Sequence, residues 1–146
     1  MVNNKDYLQT AKRVIELEIR AIAQLPEQLG TAFNQACATI LACTGRTVVM
    51  GIGKSSHIGS KIAASLASTG TPAFFVHAGE ACHGDLGMIM PNDVVIAISN
   101  SGETSEFMTL LPQWGCDHLS TLNLVQSVIT VCRYCHLDGC VQNQRE

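Results

Sequence analysis

Val48-Val49-Met50-Gly51-Ile52-Gly53-Lys54-Ser55 is the stretch on which the fold turns. A short β-branched run at 47–50 enters a glycine loop, and a helical pattern with small packing residues Ala63, Ala64 and Ala67 follows over 58–66. Strand, glycine loop, helix is a building unit of parallel-sheet proteins. Working outward, Ser68-Thr69-Gly70-Thr71-Pro72 reads as a turn and 73–76 as a second buried strand. Residues 77–87 form a polar, glycine-containing connection. Pro91-Asn92-Asp93 then introduces a third strand, 94–98, which runs into Ser99-Asn100-Ser101-Gly102-Glu103-Thr104 and another helix start. Continuous apolar strands alternating with helices predict an α/β fold, a three-layer α/β/α sandwich around a parallel sheet. On the N-terminal side, Leu8, Ala11, Val14, Ile15, Ile19, Ile22 and Ala23 recur at three and four residues, which predicts an amphipathic helix over 7–25. Pro26 interrupts it. A second helical pattern over 31–43 closes at Thr44-Gly45, with glycine where a left-handed cap would sit.

At 146 residues the chain suits one core, and a chain of this size buries roughly two thirds of its unfolded surface without disulfides or metal. The composition, 47% hydrophobic and 14% charged, excludes a disordered chain. Nine Lys and Arg against twelve Asp and Glu give a net charge of -3, so no general basic field exists to hold nucleic acid, and any anion site must be local. The start leads into charged residues instead of an apolar signal core, and no run approaches the ~18 apolar residues of a membrane span. A cytoplasmic protein with reduced thiols is therefore expected, with no nucleic-acid or membrane partner.

Ligands of such sheets collect at the carboxyl ends of the strands, and both polar loops lie there. Helix starts offer backbone N–H groups and the positive end of the helix dipole to an anion. Glycines 51, 53 and 102 permit close approach of the backbone, and the hydroxyls of Ser99, Ser101 and Thr104 add donors for phosphate oxygens. Each loop alone also reads as an ordinary tight turn. Two at equivalent strand ends favour a phosphate cradle. A Walker loop needs glycine where Val48 stands, and the dinucleotide fingerprint needs Gly or Ala at 56 and an acidic residue near 77, where the chain has Ser56 and His77. Neither motif is present.

These residues resemble a family, the sugar isomerase (SIS) domain, and within it the arabinose 5-phosphate isomerase branch. The resemblance covers about residues 1–113. It rests on the stretch quoted at the outset followed by His57-Ile58-Gly59, and on Ala67-Ser68-Thr69-Gly70-Thr71-Pro72-Ala73-Phe74-Phe75-Val76-His77. His83-Gly84-Asp85-Leu86-Gly87-Met88 and Ile98-Ser99-Asn100-Ser101-Gly102-Glu103-Thr104-Ser105-Glu106 complete it. Ser56 departs from the glycine usual after the Lys-Ser pair. The resemblance implies interconversion of D-ribulose 5-phosphate and D-arabinose 5-phosphate, feeding 3-deoxy-D-manno-octulosonate for lipopolysaccharide. It implies that Ser99, Ser101, Gly102 and Thr104 bind the substrate phosphate and that Ser55 lines the same pocket. Lys54 would polarise a sugar oxygen or steady an enediolate, Glu106 would act as acid and base, and His83 would serve ring opening or hydroxyl binding. A small phosphorylated sugar and a homo-oligomer are the implied partners. An aldose–ketose isomerisation needs a proton-transfer group and oxyanion stabilisation, so no metal or organic cofactor is expected. Read without the family, Lys54 also suits a solvated helix start, and Glu106 a first helical turn where the dipole favours a carboxylate. The expected organisation is an N-terminal helical segment at 1–45, the SIS core at 46–113 and a divergent, cysteine-rich tail at 114–146.

In that tail the family pattern stops. A further strand, a Thr-Gly loop, a Glu-Ala-Cys-Pro segment, a catalytic histidine and two CBS modules are what the resemblance leads one to expect. Trp114-Gly115-Cys116-Asp117-His118, an ambiguous apolar stretch at 119–131 and a cysteine-rich end stand there instead. A disrupted reading frame with premature termination is the expectation that follows, and with it an incomplete domain, leaving a non-catalytic phosphosugar-binding module or an inactive remnant as the alternative to an enzyme. Cys132-Arg133-Tyr134-Cys135-His136 matches the c-type haem attachment pattern, which belongs outside the cytoplasm. A zinc set drawn from Cys116, His118, Cys132, Cys135, His136 and Cys140 has only one Cys-x-x-Cys knuckle at usual spacing, so unselected cysteines remain the preferred reading.

Overall fold

The computed structural model describes residues 6–101, 105–110, 119–124 and 127–133. Helix α1 (Tyr7–Ala23) is the amphipathic helix expected from the apolar spacing, and it starts where the Asp6 carboxylate accepts the Gln9 N–H at 3.1 Å. Pro26 falls in the first turn of a short helix α2 (Leu25–Gln28), where its missing N–H costs nothing. Helix α3 (Thr31–Leu41) follows, then strand β1 (Thr47–Gly51), helix α4 (Lys54–Ser68) and strand β2 (Ala73–His77). A one-turn helix α5 (Ala78–Ala81) and a 3-10 turn (Asp85–Met88) lead to strand β3 (Val94–Ser99), helix α6 (Ser105–Leu110) and strands β4 (Leu119–Leu124) and β5 (Ser127–Arg133).

The strands form one sheet in the order β2-β1-β3-β5-β4. Its β2-β1-β3 part is parallel, as the alternation of strands and helices predicts. The β3-β5-β4 part is antiparallel, an extension that the sequence left ambiguous. Only residues 125 and 126 separate β4 from β5, and a parallel pair needs a crossover of a dozen or more residues, so this pair has to be antiparallel.

Side chains alternate across each strand and so sort into two packed layers. Val49 of β1 and Val94, Ile96 and Ile98 of β3 pack with Ala36 of α3 and Ala63 of α4. Val48 and Met50 of β1 and Val95 and Ala97 of β3 pack with Ala78 and Ala81 of α5 and with Phe107 and Leu110 of α6. The outcome is a three-layer α/β/α sandwich. Gly59 lets α4 lie close on the sheet, because a Cβ there would stand 2.8 Å from a ring carbon of Phe75. Cys132, one of the zinc candidates, is fully buried in the core and paired in register with Val95. The other five lie outside the described residues, as do the haem-pattern residues Cys135 and His136.

Two local expectations are corrected. Helix α3 ends at Leu41, and Gly45 is not among the positive-φ glycines. Its requirement is space: a Cβ there would stand 2.5 Å from Asp93 Oδ1 and 2.7 Å from the Asn92 carbonyl oxygen. Helix α4 starts at Lys54 instead of 58, because its polar first turn, Lys54-Ser55-Ser56-His57, carries no apolar period to read.

Candidate functional site

The carboxyl ends of β1 and β3 lie side by side, with Gly51 paired to Ile98. From Gly51 the chain turns so tightly into α4 that a Cβ on that glycine would stand 2.8 Å from the Ser55 carbonyl oxygen. Gly53 caps the helix at φ 57 and ψ -126, backbone that side-chain-bearing residues do not comfortably adopt. Ser56 stands where the resemblance leads one to expect glycine, and its hydroxyl donates to the Gly53 carbonyl at 2.6 Å, closing the loop on itself. The departure is thereby absorbed into the turn.

Beside this loop opens a cleft of about 530 Å³ lined by Ile52, Lys54, Ser55, Ile58, Ile98, Ser99, Asn100 and Ser101. Four of the residues expected from the sequence, Lys54, Ser55, Ser99 and Ser101, therefore share one cavity. Ser99 is nearly buried at the end of β3, Ser55 is half-buried, and Lys54 is exposed at the start of α4. One ammonium and three hydroxyls around a cavity, beside the positive end of a 15-residue helix, suit a small anion with hydroxylated substituents. The expected free amides at this helix start are in part committed: Ser55 N–H donates to the Ile52 carbonyl at 3.2 Å and Ser56 N–H to that of Gly53 at 3.1 Å. Gly102 and Thr104 lie outside the described residues.

Glu106 and His83 are not among the cleft-lining residues. Glu106 sits in the first turn of α6, where its carboxylate accepts the Ser105 hydroxyl at 2.9 Å. Its own backbone N–H, then that hydroxyl, and more weakly the charge of His77 hold its carboxyl below the ordinary value of 4.5. The group is thus an anion at neutral pH. His83 is exposed on the turn after α5, its N–H donating to the Glu80 carbonyl at 2.9 Å. The sequence reading missed Ile52, Ile58 and Asn100 as lining residues. Ile58 was nonetheless findable, since it lies one helical turn beyond Lys54 on the same face. Among the described residues, no group of three or more His, Cys, Asp or Glu is placed to hold a metal ion, and no helix is long and apolar enough to cross a membrane.

A family model, the SIS domain, matches residues 40–125. Arabinose 5-phosphate isomerase KdsD of Yersinia pestis is 59% identical over 107 residues, which make up 73% of this chain and 33% of that protein. KdsD of Escherichia coli K12 is 56% identical over the same share of each. The chain thus spans about a third of the length of the curated relatives it matches. Among solved structures, a protein of E. coli CFT073 in complex with arabinose 5-phosphate is 45% identical, with a TM-score of 0.70 over 76% of this chain and 59% of that one. A putative sugar-phosphate isomerase of Listeria monocytogenes is 32% identical, with a TM-score of 0.70 over 77% of this chain and 59% of that one.

Proposed function

Because the chain belongs to the SIS domain family, we propose that its cleft is a phosphosugar site and that the protein is an isomerase interconverting D-ribulose 5-phosphate and D-arabinose 5-phosphate. The observation that carries this reading is the convergence of Lys54, Ser55, Ser99 and Ser101 on one cavity at the carboxyl ends of β1 and β3. In the proposed mechanism Ser99 and Ser101, with Gly102 and Thr104, take the phosphate, and Ser55 lines the same pocket. With the phosphate anchored, the reacting carbons are presented in a fixed position. Glu106 removes a proton from the carbon beside the carbonyl and returns it to the neighbouring carbon. Lys54 steadies the enediolate oxygen that forms between the two transfers, and the hydroxyl proton of the first carbon passes to the oxygen of the second, so that the carbonyl and the hydroxyl exchange places. His83 serves ring opening or hydroxyl binding. No step calls for a metal or organic cofactor.

The same proposal includes a cytoplasmic homo-oligomer in lipopolysaccharide precursor synthesis, with a helical segment at 1–45, an SIS core at 46–113 and a divergent tail at 114–146. Support for self-association comes from α1, which has no buried residue and leaves Leu8, Val14, Ile15, Ile19 and Ile22 at least half exposed. One observation favours a second reading, a phosphosugar-binding module without turnover. Glu106 is outside the cleft lining, and its carboxyl is held low, away from the neutral range in which a proton-transfer group is most effective. Incubation with D-ribulose 5-phosphate separates the two. Formation of D-arabinose 5-phosphate, lowered about 100-fold or more by Glu106→Gln, supports the isomerase. Saturable binding without product supports the module, and neither binding nor product overturns both.

A further inference from the structure

Strand β2 ends at His77, which pairs in register with Gly51, and Gly51 pairs with Ile98. The histidine therefore stands in one row with Gly51 and with Ile98, the residue of β3 that precedes Ser99. It is half-buried and caps α5, its Nδ1 accepting the Gly79 N–H at 3.2 Å. That bond requires the neutral ring to carry its proton on Nε2, so both the orientation and the tautomer of the imidazole are set by the backbone. The residues that follow at once, Ala78 and Ala81, are buried in the same cluster as Phe107 and Leu110 of α6, the helix that carries Glu106. Cys82, at the end of α5, brings its Sγ to 3.9 Å from the Glu106 carbonyl oxygen. A continuous run of contacts thus leads from the imidazole through a one-turn helix to the backbone of Glu106.

We propose that His77 is a positioning residue for Glu106: by capping α5 it sets the surface on which α6 rests, and with it the direction of the carboxylate. The inference rests on the isomerase reading for the meaning of that direction. Such a group is effective only when aimed, and a displacement of about 1 Å is enough to cost up to a hundredfold in rate. Sequence reading passes over His77, because a histidine at a strand end announces no chemistry without a neighbour to act on.

The test compares His77→Ala with His77→Asn in the full chain. Asn keeps an acceptor in the place of Nδ1 and is itself a favoured helix cap. In the conversion of D-ribulose 5-phosphate, His77→Ala is expected to lower kcat about tenfold or more with KM within about twofold, and His77→Asn to restore most of it. An unchanged kcat in His77→Ala, or equal losses in both variants, overturns the proposal. Should His77→Ala not fold, His77→Gln, which keeps the bulk but moves the acceptor, is compared with Asn in its place. If the unsubstituted chain makes no product, the isomerase reading is what fails, and the positioning role is read from NMR amide signals. Displacement of the Gly79 and Glu106 amides together in His77→Ala, reversed by Asn, supports it. Displacement of Gly79 with Glu106 unmoved overturns it.

Discussion

Asp93 is almost fully buried at the amino end of β3, yet its carboxylate accepts the Arg46 N–H at 2.7 Å, the Met90 N–H at 2.9 Å and the Arg46 guanidinium at 3.0 Å. The same guanidinium donates to the Met88 carbonyl at 2.7 Å and lies 4.7 Å from the Phe74 ring centre. Burial pushes the Asp93 carboxyl up, but the bonds from Met90 and Arg46 outweigh it and hold the group below its ordinary value of 3.8. A carboxyl lowered by folding stabilises the folded chain above its unfolded titration, and that contribution is lost as pH falls through the lower folded value. Asp93→Asn should therefore cost about 2–3 kcal/mol at pH 7 in urea unfolding, and the difference from the parent should shrink as pH falls below the ordinary carboxyl value of 3.8. In the cleft, Lys54→Ala should lower kcat/KM for D-ribulose 5-phosphate about 100-fold while leaving the urea midpoint in place, since the side chain is exposed. Lys54 and the serines were legible as candidates only because two glycine and hydroxyl loops fall at equivalent strand ends, since either loop alone reads as an ordinary turn. Asp93 was not. Pro91-Asn92-Asp93 reads as a turn, and nothing local announces that a residue 47 positions away folds back onto it.

Between α4 and β2 the tight contact is Gly59 against Phe75. Gly59→Val should force the helix off the strand and destabilise by about 1–3 kcal/mol, measured by urea unfolding, whereas Ala64→Val on the exposed side of the same helix should cost well under 1 kcal/mol. The three parallel strands and the body of α4 were readable because each strand is an unbroken apolar run bounded by turn residues, whereas α5 and the 3-10 turn lie in the stretch that reads as a polar connection. The hairpin of β4 and β5 was not readable either, because a short apolar stretch fits strand or buried helix equally well, and its place in the sheet depends on the pairing of β5 with β3. Gly45 was misread for a related reason. A glycine after a helix commonly marks a left-handed cap, but this one is required by a contact with residues 92 and 93 that lie far away in sequence.

At the scale of the molecule, α1 has no buried residue among the described residues and leaves its apolar side chains exposed. The proposed self-association predicts a mass above that of one chain in sedimentation equilibrium, and Ile15→Glu should shift it toward the monomer without altering the fold seen by circular dichroism. A monomer at every concentration would remove the homo-oligomer from the proposal. The central claim is the phosphosugar cleft between the glycine loop and the end of β3. Titration of D-arabinose 5-phosphate into the 15N-labelled chain tests it most directly, through the backbone amides on either side of the cavity. Saturable displacement of the signals of Gly53, Lys54, Ser55, Ser99 and Ser101, weakened in Ser99→Ala, is the predicted result. Unmoved signals at those residues, or saturable changes confined to another part of the chain, would contradict it.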